Sequence, residues 1–193
     1  MAIFEGMLSQ HMVAHITAMN VLAPFVVLAV PQFAVRLAGG GGGGLALATG
    51  LQTALLWIWH IPAMLGAALQ SPSLMLTMHG SLFAVAFWFW AAVIRSIRQG
   101  EWSSMAALLV TGKLFCLLGV LLTFSPRAIY WQLALLQSCF GTQPAPLVDQ
   151  QLAGLLMLVA CPAVFVGAAI VAAKRWLQSA GLTNGWHPHP ELR

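Results

Sequence analysis

Long runs of apolar residues, separated by short polar or glycine-rich segments, dominate the chain. Five of these runs approach twenty residues, the length that an α-helix needs to cross the hydrocarbon core of a bilayer. The pattern predicts an all-α, polytopic transmembrane helix bundle. We place the five spans at about residues 10–32, 45–65, 74–94, 104–124 and 149–173.

Proline and glycine indicate where these runs are interrupted. Pro24 and Pro31 are expected to kink or end the first span, because proline lacks the N–H that an interior helical hydrogen bond requires. The glycine run at 39–44 predicts a flexible connector. Pro62 disfavours continued helix at the residue before it and frees backbone groups near the His60 imidazole.

Composition agrees with a membrane protein. Of the 193 residues, 60% are hydrophobic and 6% are charged, which is too little polar surface for a soluble globule of this size. The net charge of +4 comes from few residues without a basic run, so we expect lipid around the chain and no nucleic-acid partner. We predict one transmembrane domain, residues 1–178, and a cytoplasmic tail, residues 179–193.

The basic residues predict the orientation. Arg127 lies on one side of the predicted membrane, and all other basic residues assigned to loops lie on the opposite side: Arg36, Arg95, Arg98, Lys174, Arg175 and Arg193. Cytoplasmic loops carry the excess of Lys and Arg. Five spans then place the N-terminus outside and the C-terminus in the cytoplasm. We expect a multi-pass protein of the plasma (inner) membrane, with its outer face periplasmic in a Gram-negative host.

Two histidines stand out in the first span. His11 and His15 lie one helical turn apart on one face, and Met19 continues the same stripe. Ionisable groups inside a membrane helix are costly and need a reason. Imidazole and thioether together suit copper, because soft sulfur ligands select Cu(I). We therefore predict a metal site on this face.

Other candidate ligands are predicted at the same outer end of the bundle. His60 ends the second span, while Met75, Met78 and His79 begin the third. His60 is either a ligand or a donor that stabilises the bend, and Met75 and Met78 either bind metal or fill gaps between helices.

Two charged residues are open to more than one interpretation. Asp149 begins the fifth span, where it either caps its own helix or holds the second ring nitrogen of a metal-bound histidine. Lys113 lies in the middle of the fourth span, and we expect it to face the bundle interior or a partner. No arrangement typical of an active site is present, so we do not expect an enzyme.

Several segments carry a resemblance to a known family. They are His11-Met12-Val13-Ala14-His15, Trp59-His60-Ile61-Pro62, His79 before Phe87-Trp88-Phe89-Trp90, Leu122-Thr123-Phe124-Ser125-Pro126 with Tyr130, and the block from Pro146 to Met157. In these segments the chain resembles the polytopic CtaG-type cytochrome c oxidase assembly factors of bacteria, over about residues 7 to 177. Family members usually carry further helices before the first segment, and this chain begins almost at it.

The resemblance implies a membrane-embedded assembly factor for a haem–copper oxidase. Together with the residues, it leads us to expect that copper is bound at the periplasmic side and delivered during oxidase maturation. The expected partners are an oxidase subunit and a periplasmic copper donor, and a homo-oligomer is an option. Two alternatives stay open: a haem-binding membrane protein in which two histidines are axial ligands, and a metal-free assembly scaffold.

Overall fold

The computed structural model describes residues 6–32, 36, 42–130 and 145–181. In these residues the regular structure is helical, as the sequence predicts. We number the helices α1 to α6 in chain order: α1 Met7–Ala29, α2 Gly42–Trp59, α3 Pro62–Gln70, α4 Pro72–Gln99, α5 Ser103–Phe124 and α6 Pro146–Ser179.

Four described helices, α1, α4, α5 and α6, are long and apolar enough to cross a membrane. The number rises to five if α2 and α3 form one span, although the two are bent by 73°. The membrane-like helical bundle is therefore confirmed. The predicted second span is not one straight helix, and α6 extends beyond the predicted limits at both ends. Beyond residue 181, the predicted tail lies outside the described residues.

A wide π-helical turn, Ala18–Leu22, lies inside α1. A π turn pairs each N–H with the carbonyl five residues earlier, and Pro24 has no N–H to give to Met19. The Met19 carbonyl instead accepts a hydrogen bond of 2.9 Å from the indole Nε1 of Trp90 on α4. The helix continues past Pro24 and ends at Ala29, so Pro24 modifies the helix and the end comes just before Pro31.

The bend between α2 and α3 follows from Pro62. Ile61 is extended, with φ −61° and ψ 131°, as the steric demand of a following proline requires. Pro62 then occupies the first turn of α3, where its missing N–H is harmless. The break leaves His60 in a turn with its imidazole inside the bundle and a relative exposure of 4%.

Among the described helices, α5 and α6 form the most extensive contact. A side chain at Gly154 would meet the carbonyl oxygen of Gly119 at 2.7 Å, and one at Gly112 would meet Phe165 at 3.1 Å. Small residues allow two helix backbones to approach in this way. Phe165 also stacks on Trp90 of α4, with ring centroids 5.9 Å apart, and so joins this pair to the rest of the core.

Lys113 lies on the outer surface of α5 and is exposed. The expectation that it faces the bundle interior is wrong, because Gly112 and Phe115 occupy the buried side of that turn. The other expectation, that Lys113 faces a partner, stays a prediction.

Candidate metal centre

Four imidazoles from three parts of the fold meet at one end of the bundle. The His11 ring centroid lies 4.9 Å from that of His15, 5.1 Å from His79 and 6.3 Å from His60. His15 and His60 are 5.3 Å apart. The amino end of α1, the α2–α3 bend and the amino-terminal part of α4 thus supply the cluster, as the predicted topology requires. We call these four residues the histidine cluster.

Three histidines of the cluster are fixed in the same way. The ring atom Nδ1 contacts the carbonyl four residues earlier in the sequence, at 3.1 Å for His15, 2.7 Å for His60 and 3.0 Å for His79. A carbonyl oxygen only accepts, so Nδ1 is the donor and carries the proton. In the neutral imidazole Nε2 is then left with a free lone pair, the tautomer that a metal ligand needs.

Several ring nitrogens in the cluster have no hydrogen-bond partner among the described residues. They are Nε2 of His15 and of His60, and both ring nitrogens of His11, all buried. A buried polar atom without a partner costs roughly 1–3 kcal/mol, so four such atoms in one place require an explanation. His11 differs from the other three because neither of its nitrogens is tied to a carbonyl.

The spacing of these nitrogens is close to that of a metal site. One ligand atom from each of His11, His15 and His60 can be chosen so that all three lie within 4.8 Å of one another. Nitrogens about 2.0–2.1 Å from a shared ion lie roughly 3.5 Å apart, so small ring rotations would bring them together. His79 is half-buried and contacts the cluster from the more open side.

The predicted thioether ligands occupy different environments. Met78 and Met19 are buried, with relative exposures of 0% and 1%, whereas Met75 is only partly buried against the core. Met75 also provides the carbonyl that accepts from the His79 ring. These contacts fit the gap-filling role of methionine, and metal binding by the three sulfurs stays a prediction.

Asp149, the predicted second-shell residue, bonds the amino end of α1. Its carboxylate oxygens accept from the backbone N–H groups of Leu8 at 2.9 Å and Ser9 at 3.1 Å. A carboxylate at this position satisfies free N–H groups and complements the helix dipole. Any side chain at Gly6 would collide with the Asp149 carboxylate. Asp149 therefore caps a helix other than its own and holds the turn that precedes His11.

A second connection runs from α6 to His60. The Gln150 side-chain oxygen accepts from Ile129 N–H at 2.7 Å, and its Nε2 donates to the carbonyls of Leu122 and Arg127 at 3.2 Å and 3.4 Å. The segment held in this way includes Tyr130, whose hydroxyl donates to the His60 carbonyl at 2.8 Å. Burial raises the pKa of Tyr130, so the phenol keeps its proton and remains a donor.

Sequence reasoning identified the four histidines but missed Gly6, Gln150 and the hydroxyl of Tyr130. Gln150 and Tyr130 lie in segments that carry the family resemblance, and this was the available signal for them. Hydrophobic periodicity could not identify these three residues, because each of them contacts a part of the fold that is distant from it in sequence.

Fold and site together define a multi-pass membrane protein with a buried histidine cluster at one end of its helical bundle. The family pattern of the cytochrome c oxidase caa3 assembly factors matches residues 44–179. The chain belongs to this family of oxidase assembly factors. No curated protein and no solved structure was found to match.

The matched region divides the histidine cluster. His60 and His79 lie inside it, together with Tyr130 and Asp149, whereas His11 and His15 precede it. The two histidines of α1 thus belong to a part of the chain that the family pattern does not cover, and their role rests on the geometry of the cluster.

Proposed function

We propose that the histidine cluster binds copper, as Cu(I), and that the protein delivers this copper to a cytochrome c oxidase subunit during oxidase maturation. The supporting observation is the convergence of unpartnered ring nitrogens from His11, His15 and His60 in a buried site. A bound ion would satisfy these nitrogens together. Membership of the assembly-factor family supplies the oxidase as the client.

The donor set favours copper among the metals that imidazole binds. Affinity for nitrogen ligands generally rises along the first row to copper, and thioethers shift the preference further toward Cu(I). Met78 is buried and directly precedes His79, and it lies three residues after Met75, whose carbonyl accepts from the His79 ring. Met75, Met78 and Met19 are the thioethers that we assign to copper, as auxiliary or transient ligands.

Delivery requires a ligand that exchanges. His79 is the least buried member of the cluster and its ring lies beside that of His11. The His11 ring is not tied to a carbonyl, so it can rotate at lower cost than the rings of His15 and His60. We assign His79 to the path by which copper arrives and leaves. We assign His11 to the transfer of copper between His79 and the pair His15 and His60.

We propose that the cluster lies on the periplasmic side of the plasma membrane. The carboxyl ends of α4 and α6 carry Arg95, Arg98, Lys174 and Arg175, whereas the cluster lies beside the amino ends of these helices. The positive-inside rule puts the basic ends in the cytoplasm. A periplasmic copper donor would then reach the cluster from outside.

The test is an anaerobic Cu(I) titration of the purified chain against a competing chelator. We expect wild type to bind copper and the double variant His11→Ala/His15→Ala to lose affinity by more than the roughly 10–100-fold typical of an outer-shell change. The matched control, His187→Ala/His189→Ala, removes two histidines of the predicted tail and should leave affinity unchanged. In a host that depends on this protein, oxidase activity and oxidase copper content should fall with the first variant only.

The haem alternative receives less support from the ring spacing. Axial histidines approach iron from opposite faces of a porphyrin and need a flat slot between their rings. In the cluster, three ring pairs lie at centroid distances of 4.9–5.3 Å, in direct contact. A haem absorption band retained through purification and lost in the double variant would reverse this preference. Normal oxidase maturation in a variant lacking all four histidines would favour the metal-free scaffold.

A further inference from the structure

Lys113 occupies an unusual place for a charged residue. It lies near the middle of the 22-residue helix α5 and is exposed on the outside of the bundle. At 1.5 Å per residue, the ends of α5 are each about 15 Å away. That distance exceeds what a four-carbon side chain can bridge to reach the headgroups.

The surface around Lys113 is apolar. Leu109 and Val110 precede it by one turn and are 48% and 49% exposed, whereas Leu117 and Val120 follow it and are 54% and 41% exposed. These spacings of three, four and seven residues put all of them on one face of the helix. We call these five residues the Lys113 face. The opposite face of α5 packs against α6 through Gly112, Gly119 and Phe115.

A lysine at mid-membrane depth is costly unless it meets an opposite charge. Of the four acidic residues in the sequence, the structure describes Glu101 and Asp149, and neither lies beside Lys113. Glu101 precedes α5 and bonds Ser96 and Ser103, while Asp149 caps α1 at the other end of the bundle. In the sequence, Glu5 precedes the apolar runs and Glu191 follows them. In a parallel second copy, the described carboxylates of Glu101 and Asp149 lie at the same depths as in the first copy, away from Lys113.

We propose that the Lys113 face docks against a transmembrane helix of the oxidase subunit under assembly, and that this helix carries an Asp or Glu opposite Lys113. The apolar neighbours of Lys113 provide the packing contact, and the ion pair sets depth and partner choice. The inference uses the family's oxidase client and is independent of copper binding, since Lys113 is remote in sequence and depth from the histidine cluster at the outer end.

Co-purification of the oxidase subunit in mild detergent tests the ion pair. Lys113→Met, which keeps the length of the side chain but not its charge, should lower the recovered subunit by about tenfold or more. Lys113→Arg should retain binding because the charge remains. The matched control Lys174→Met removes a lysine near the carboxyl end of α6 and should not change recovery. Full recovery with Lys113→Met would overturn the proposal.

Site-specific photo-crosslinking tests the surface with Lys113 intact. Leu117→p-benzoylphenylalanine, placed on the Lys113 face, should form an adduct with the oxidase subunit, whereas the control Val159→p-benzoylphenylalanine on α6 should not. An adduct only with a second copy of the chain, or only with lipid, would contradict the proposal. Lys113→Met should bind copper with the same affinity as wild type. If the chain proves not to bind copper, the docking proposal is unaffected, and the two proposals can therefore fail separately.

Discussion

The carboxylate of Asp149 on α6 caps the amino end of α1, although Asp149 lies 141 residues from Leu8 in the sequence. It accepts from Leu8 and Ser9, and Gly6 leaves the space that it occupies. His11 lies on the next turn of the same helix. Asp149 therefore supports the histidine cluster indirectly, because it fixes the backbone turn that precedes His11.

Asp149→Asn tests this function at the residue scale. Asparagine keeps one acceptor oxygen but loses the charge, so we expect the free energy of unfolding in detergent to fall by about 1–2 kcal/mol, and by about 2–3 kcal/mol for Asp149→Ala. Denaturant titration followed by circular dichroism measures both. Glu101→Gln is the control, because its carboxylate accepts from the hydroxyls of Ser96 and Ser103 rather than from backbone N–H groups at a helix end, so the loss of charge should cost less. Unchanged stability of Asp149→Asn would contradict the capping role.

At the scale of elements, the α5–α6 pair depends on small residues. The Gly154 backbone lies so close to α5 that a side chain there would meet the Gly119 carbonyl at 2.7 Å. Gly167 on the same helix has nothing within 4 Å of such an added atom. The two glycines differ only in what they face, which makes them a natural pair for comparison.

Gly154→Ala should force α5 and α6 apart and destabilise the protein by about 1–3 kcal/mol, the usual cost of overpacking. Gly167→Ala should instead be neutral or stabilising by up to about 1 kcal/mol, because alanine favours the helix. Unfolding of both variants in the same detergent measures the difference. Equal stability of the two would mean that the close approach is not required.

At the scale of the whole molecule, α6 is connected to the histidine cluster by two routes. Asp149 bonds α1, and Gln150 holds the segment that contains Tyr130, whose hydroxyl bonds the His60 carbonyl. Neighbouring residues on one helix thus position histidines on two other elements. The Leu122–Tyr130 segment and the start of α6 contribute no histidine, yet both reach the cluster through these bonds.

Tyr130→Phe should weaken copper binding by loosening the α2–α3 bend. Loss of one buried hydrogen bond, with the His60 carbonyl left unpaired, costs about 1–3 kcal/mol, so copper affinity and stability should both decrease. A purely structural role predicts lower stability alone. Cu(I) titration and thermal unfolding of the same preparations separate these outcomes, and unchanged affinity would contradict a positioning role for Tyr130.

Much of this fold could be predicted because apolar run length and helical periodicity are local properties. They identified the helical bundle, the shared face of His11 and His15, and the convergence of His60 and His79. The partner of Asp149 and the bond from Tyr130 to His60 join residues far apart in sequence, so no local pattern revealed them. The exposure of Lys113 depends on which side of α5 packs against α6, and this is decided by contacts between residues far apart in sequence, such as Gly112 with Phe165.

The wide turn of α1 sets the angular position of two histidines. An α-helix advances about 100° per residue, and the turn at Ala18–Leu22 accommodates one residue more than a regular turn would. If the same residues formed a regular α-helix instead, His11 and His15 would rotate by about 100° relative to the part of α1 that follows the turn and point away from His60 and His79. A relative with a regular first helix must therefore place its histidines one residue closer to the equivalent of Pro24.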